Sequence, residues 1–233
     1  MAAAGDGKEP PVMEKRFSKR EAIEFGWQTT RANLGFFIIF LVISMLISFF
    51  FSGFADLFEK RLLLLSAIFN LGYIFLTIAI NLVGIKIALK FCDNDSRALT
   101  DVISFTPRLF LKFAAGYILY SLLVAAGIVL FVVPGLIFMV KYQYVIYYIA
   151  DKDTEIGEAF KKSSAITNGI KWELFVFLIL LWLINVAGVM CFFVGLLVSI
   201  PVTMLAAASV FRKLSGSVKE EVINPFQAPV QTL

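Results

Sequence analysis

Residues 113–150 read FAAGYILYSLLVAAGIVLFVVPGLIFMVKYQYVIYYIA, 38 positions with a single charge, Lys141. One straight helix of that length would reach about 57 Å at 1.5 Å per residue. The hydrocarbon layer of a bilayer is only about 30 Å thick, so the stretch must cross and return. Pro134–Gly135 supplies the turn signal, and Gly195 does the same for residues 174–211, another 38-residue run with no charge. A turn at bilayer depth would strand backbone polar groups, so both turns are expected at the far interface.

Two shorter apolar runs precede these hairpins, with Asp56, Glu59, Lys60 and Arg61 between them. The sequence therefore predicts an all-α polytopic membrane protein. Its six transmembrane helices are expected at about 34–55, 62–85, 113–133, 136–150, 174–194 and 196–211. They make one membrane domain over 16–213, and the polar ends 1–15 and 214–233 read as disordered tails. Pro201 is expected to kink the sixth span. No secretory signal is expected, because mostly polar sequence precedes the first apolar run.

Composition agrees. Hydrophobic residues make up 60% of the 233 and charged residues 16%, against about 45–50% and about 25% in soluble domains. Histidine is absent, which removes imidazole bases and imidazole metal ligands. Cys92 and Cys191 fall on different spans and form no redox or metal motif. Ser163 and Ser164 have no base to activate them, and no glycine-rich phosphate loop is present. The acids around 151–158 are interleaved with Lys152, Lys161 and Lys162 and read as a solvated face. No enzyme, metal or cofactor is expected.

The net charge of +4 is explained by topology rather than by nucleic acid. Most of the 21 basic residues lie in the two tails and in the links after the second and fourth spans; the opposite side has only Lys60 and Arg61. The positive-inside rule then puts both termini in the cytoplasm. On that side the links read as amphipathic surface helices resting on the headgroups. Ser18 and Glu21 make a capping box with Phe17 and Ala22 as its staple. Ala98, Val102 and Phe105 form a stripe in the second helix. Ile156, Ala159, Phe160 and Ser163 form one in the third, which Asn168–Gly169 should stop.

Glu21-Ala22-Ile23, Asp101-Val102-Ile103 and Glu158-Ala159-Phe160 each stand ahead of a two-span unit. The last two units keep one offset: Lys112 matches Glu173, Ala126-Gly127 matches Ala187-Gly188, and Pro134 matches Gly195. The expectation is an internal, parallel repeat of one surface helix plus one hairpin.

Candidate binding residues are Lys141, Gln143 and Asn185. Lys141 is the one charge inside a span, and such groups mark functional sites unless they snorkel to the outer headgroups. Asn70, Asn81 and Asn185 fit interhelical hydrogen bonds equally well. Tyr142, Tyr144, Tyr147 and Tyr148 read either as an interfacial belt or as a polar path beside Lys141.

Val133-Pro134-Gly135-Leu136-Ile137, Tyr147 to Asp151, Glu158-Ala159-Phe160-Lys161-Lys162-Ser163 and Thr167-Asn168-Gly169 together resemble a group of bacterial six-span inner-membrane proteins. The group includes the membrane domain attached to some glycerophosphoryl diester phosphodiesterases. The likeness is best over about 113–213. It implies location and fold only, because phosphodiesterase activity resides in a separate histidine-using barrel for which this chain has neither residues nor room. The resulting expectation is a scaffold or accessory subunit in envelope or lipid-related processes, in contact with membrane lipid and with a possible protein partner at the surface helices. The alternative is a small transporter or lipid-translocating protein that uses the polar fourth span.

Overall fold

A computed structural model of the chain describes residues 17–59, 62–94, 102, 106–191 and 194–223. The described residues form helices and short turns, with no strand. The helices are α1 (Lys19–Ala32), α2 (Leu34–Glu59), α3 (Leu63–Cys92), α4 (Pro107–Leu130), α5 (Val132–Tyr142), α6 (Val145–Lys152), α7 (Ile156–Thr167), α8 (Lys171–Met190) and α9 (Leu196–Ile223). Six segments are long and apolar enough to cross a membrane, the fourth being α5 and α6 together.

Three of the helix starts have a clear local cause. Ser18 Oγ accepts the Glu21 N–H at 3.2 Å, which caps α1. Thr106 does the same for Leu109 N–H, and Pro107 opens α4 at a position where its missing N–H costs nothing. After α7, Asn168 is extended and Gly169 turns with φ +85° into α8.

The third–fourth hairpin corrects the expectation. It turns at Phe131, whose backbone is extended, while Pro134 and Gly135 lie inside the first turns of α5. Proline suits the first turn of a helix, so Pro134 marks a helix start. Gly135 has a packing reason: a Cβ there would lie 2.4 Å from Ile128 Cγ1. Gly195, by contrast, does occupy the turn before α9, and Pro201 lies inside that helix.

Other boundaries move as well. Helix α3 runs on past residue 85 to Cys92, carrying Lys86 and Lys90. Helix α9 continues to Ile223, so residues 214–223 are helical rather than part of a disordered tail. Residues 1–15, 224–233 and the second surface helix apart from Val102 lie outside the described residues.

Helix α9 is the central post: half of its most apolar window is buried, against 6% for α2. Leu205, Val210 and Phe211 are fully enclosed, alongside Phe113, Val145, Ile149 and Leu174 from the other helices. Helix α1 packs chiefly along α9. A Cβ on Gly26 would lie 2.4 Å from the Val202 carbonyl oxygen, so backbone meets backbone there. Helix α1 is thus seated on the sixth span, a closer engagement than resting on headgroups.

Candidate functional site: a charged cap joining the helix ends

The second, fourth and sixth spans all end on one side, and each delivers a charge there. Arg212 on α9 grips Asp151 with both arms of its guanidinium, Nη1 to Oδ2 at 2.7 Å and Nη2 to Oδ1 at 2.8 Å. Nη2 also reaches Asp93 Oδ2 at 2.6 Å, just past the end of α3. This fork geometry is specific to arginine. Asp151 is the more enclosed carboxylate, with a side chain 15% exposed against 44% for Asp93. Lys86, Lys90, Leu89 and Val102 complete the small polar hollow around them.

A second knot lies beside the first. Lys112 on α4 pairs with Glu155 at 2.7 Å and Asp153 at 3.1 Å, in the link between α6 and α7. Asp153 makes that link by turning left-handed at φ +48°, a conformation that aspartate tolerates better than most residues. At the outer flank, Glu21 of α1 pairs with Lys213 of α9 instead of folding back on its own cap.

Lys141 stands at a break in the fourth span. Helix α5 stops at Tyr142 and α6 starts at Val145, which leaves carbonyls without helical partners. The Lys141 carbonyl accepts from Ser163 Oγ at 2.9 Å and from Thr167 Oγ1 at 3.2 Å, both on α7. Ser163 is therefore a structural tether. The Lys141 ammonium sits 5.0 Å from the Tyr142 ring centroid and faces a cleft shared with α7 and Lys171. That places it beside α7.

Gln143 donates to the Val140 carbonyl at 3.1 Å and closes the end of α5. Asn185 is engaged elsewhere: its amide donates to Leu181 O and Thr203 Oγ1, and its Oδ1 accepts from Ser199 Oγ at 3.0 Å. These bonds staple α8 to α9 around Pro201. Lys141 and Gln143 are thus neighbours, while Asn185 belongs to a different helix pair.

The tyrosines of the fourth span turn inward. Tyr144, Tyr147 and Tyr148 surround Phe211 at centroid distances of 5.7, 5.3 and 5.0 Å, and Tyr142 packs on Phe160. Tyr144, Tyr147 and Tyr148 form an aromatic lock between the fourth span and α9, whereas Tyr142 stays beside Lys141.

Arg212, Asp151, Asp93 and Lys112 were not singled out as sites from sequence, although a signal existed. Asp151 and Arg212 are the first charges after the two 38-residue runs, and Asp93 is the first acid after the second span. Charges at equivalent depths on one side are natural partners.

The apolar helices and their one-sided charged cap settle the broad class. This is a membrane protein. Over 133 residues it is 32% identical to an uncharacterised protein of Mycobacterium bovis and, equally, to one of Mycobacterium tuberculosis. The aligned part covers 56% of this chain and 40% of each relative, so the chain matches well under half of their length. No family model and no solved structure matches. None of these comparisons brings in a phosphodiesterase.

Proposed function

We propose that the chain is a scaffold or accessory subunit of a bacterial inner membrane, acting in an envelope or lipid-related process rather than as an enzyme. Both termini and the charged cap face the cytoplasm in this reading, and α1 and α7 meet a protein partner. The observation that carries it is the Arg212 tie, one guanidinium joining the ends of three spans. With Lys112 holding the link before α7 and Lys213 holding Glu21 of α1, these two helices are fixed before any partner arrives, and preorganisation of this kind lowers the ordering cost of binding. The paired close approaches of Gly127 to Gly135 and Gly188 to Gly195 support the reading of the last two units as a repeat.

The test is recovery of wild type and Arg212→Ala in native-membrane nanodiscs, against an unrelated six-span control. The expected result is one protein at fixed stoichiometry with wild type, reduced in the variant. A second reading, a lipid-translocating protein, is favoured by a groove of about 420 Å³ between the first hairpin and α9, where Ser44, Ser48, Thr77 and Asn81 add polar groups to an apolar wall. Lipid flux in proteoliposomes, with no partner recovered, would move the assignment to that reading.

A further inference from the structure

We infer that the cleft between the break in the fourth span and the α7–α8 corner is a binding site for the headgroup of an anionic phospholipid. Three lysines converge on it from three elements: Lys141 from α5, Lys161 from α7 and Lys171 from the first position of α8. Among the described residues none of these ammoniums makes an ion pair, and no carboxylate lines the cleft. The nearest acid on α7, Glu158, is taken by Lys162 at 2.6 Å. In the neighbouring cap, by contrast, Arg212, Lys112 and Lys213 all hold carboxylates. The cleft gathers its three lysines and leaves them open.

Its remaining groups suit a phosphodiester carrying a polar substituent. Ser164 and Asn168 add neutral hydrogen-bonding groups, and Phe160 and Tyr142 give one wall an aromatic face. The cavity is about 480 Å³, within the size range of small-molecule sites. Depth favours a lipid over free phosphate. Lys141 closes one half of a span, Lys171 opens another, and Trp172 beside it is largely exposed, as tryptophan is at headgroup level. The tethers from Ser163 and Thr167 to the Lys141 carbonyl hold the two walls together without occupying the cleft.

The full chain in nanodiscs of phosphatidylcholine containing phosphatidylglycerol tests this, with bound lipid counted by native mass spectrometry. Wild type should retain phosphatidylglycerol preferentially. Lys141→Gln, Lys161→Gln and Lys171→Gln should each weaken retention by roughly fivefold, the scale of one basic residue at an anionic surface, and the triple variant should show no preference. A control removes the same charge at Lys19, Lys152 and Lys162. Equal loss in that control would mean diffuse surface charge and overturn the site. Displacement of the lipid by inorganic phosphate at millimolar concentration would overturn the assignment to a lipid. Lysine-to-arginine variants at the three positions keep the charge and should keep the preference; its loss in variants that still fold would also contradict the site.

Discussion

Arg212 sits between the two familiar regimes of ion pairing. Its side chain is 26% exposed, and it holds one enclosed and one open carboxylate. Exposed pairs contribute about 0–1 kcal/mol, whereas leaving a buried charge without its partner costs about 3–5 kcal/mol. Arg212→Ala should therefore lower stability by about 2 kcal/mol, read from thermal unfolding in detergent or nanodiscs. Arg212→Lys should recover only part of this, because an ammonium cannot reproduce the fork to Asp151. Asp151→Asn should cost more than Asp93→Asn, following their exposures. Equal effects of the two would mean that exposure does not set their contribution. Asn185 belongs to another regime. Its bonds lie within the helix bundle, where such contacts average about 0.6 kcal/mol, so Asn185→Ala should cost about 1 kcal/mol for the two to Ser199 and Thr203. It should leave phosphatidylglycerol retention unchanged; a loss there would return Asn185 to a binding site shared with Lys141.

At the scale of elements, the hairpins close on glycine. A Cβ at Gly127 would lie 2.8 Å from Gly135 Cα, and one at Gly188 would lie 2.5 Å from Ser199 Oγ. Overpacking of this kind costs about 1–3 kcal/mol, so Gly127→Ala should lower the unfolding midpoint measurably. Gly53 has open space around it, and Gly53→Ala should be neutral or stabilising by up to about 1 kcal/mol. If both substitutions were neutral, the helices would not approach as closely as described. These elements also show what sequence could and could not reveal. The caps of α1 and α7 were legible because their signals are local: Ser18 ahead of Glu21, and Asn168–Gly169 after an apolar stripe. The turn at Phe131 was missed because Pro134–Gly135 carries two meanings, and the start of a helix satisfied both residues. The break after Tyr142 left no trace in Lys-Tyr-Gln-Tyr. The Lys141 carbonyl is satisfied by Ser163 and Thr167, more than twenty positions later, and no local pattern encodes a partner at that distance. Asn185 could be read as a hydrogen-bonding group, but Ser199 and Thr203 as its partners required the hairpin to be folded.

For the whole molecule, burial runs from the central α9 to the lipid-facing first hairpin. Leu205 is fully enclosed, whereas Met45 and Leu64 are 71% and 83% exposed. Leu205→Ala should cost about 2–5 kcal/mol, and Leu64→Ala should stay within about 0.5 kcal/mol of wild type. Similar costs at both positions would show the first hairpin to be packed rather than facing lipid. The same architecture gathers the ends of the second, fourth and sixth spans in the charged cap, and that arrangement rests most heavily on Arg212 and Asp151. A double-mutant cycle with Arg212→Ala, Asp151→Ala and both together, followed by thermal unfolding of the full chain in nanodiscs, addresses it most directly. The two single losses should overlap, leaving a coupling of at least about 1 kcal/mol. Losses that simply add would mean that the ends of the fourth and sixth spans do not meet, and the cap as described would not exist.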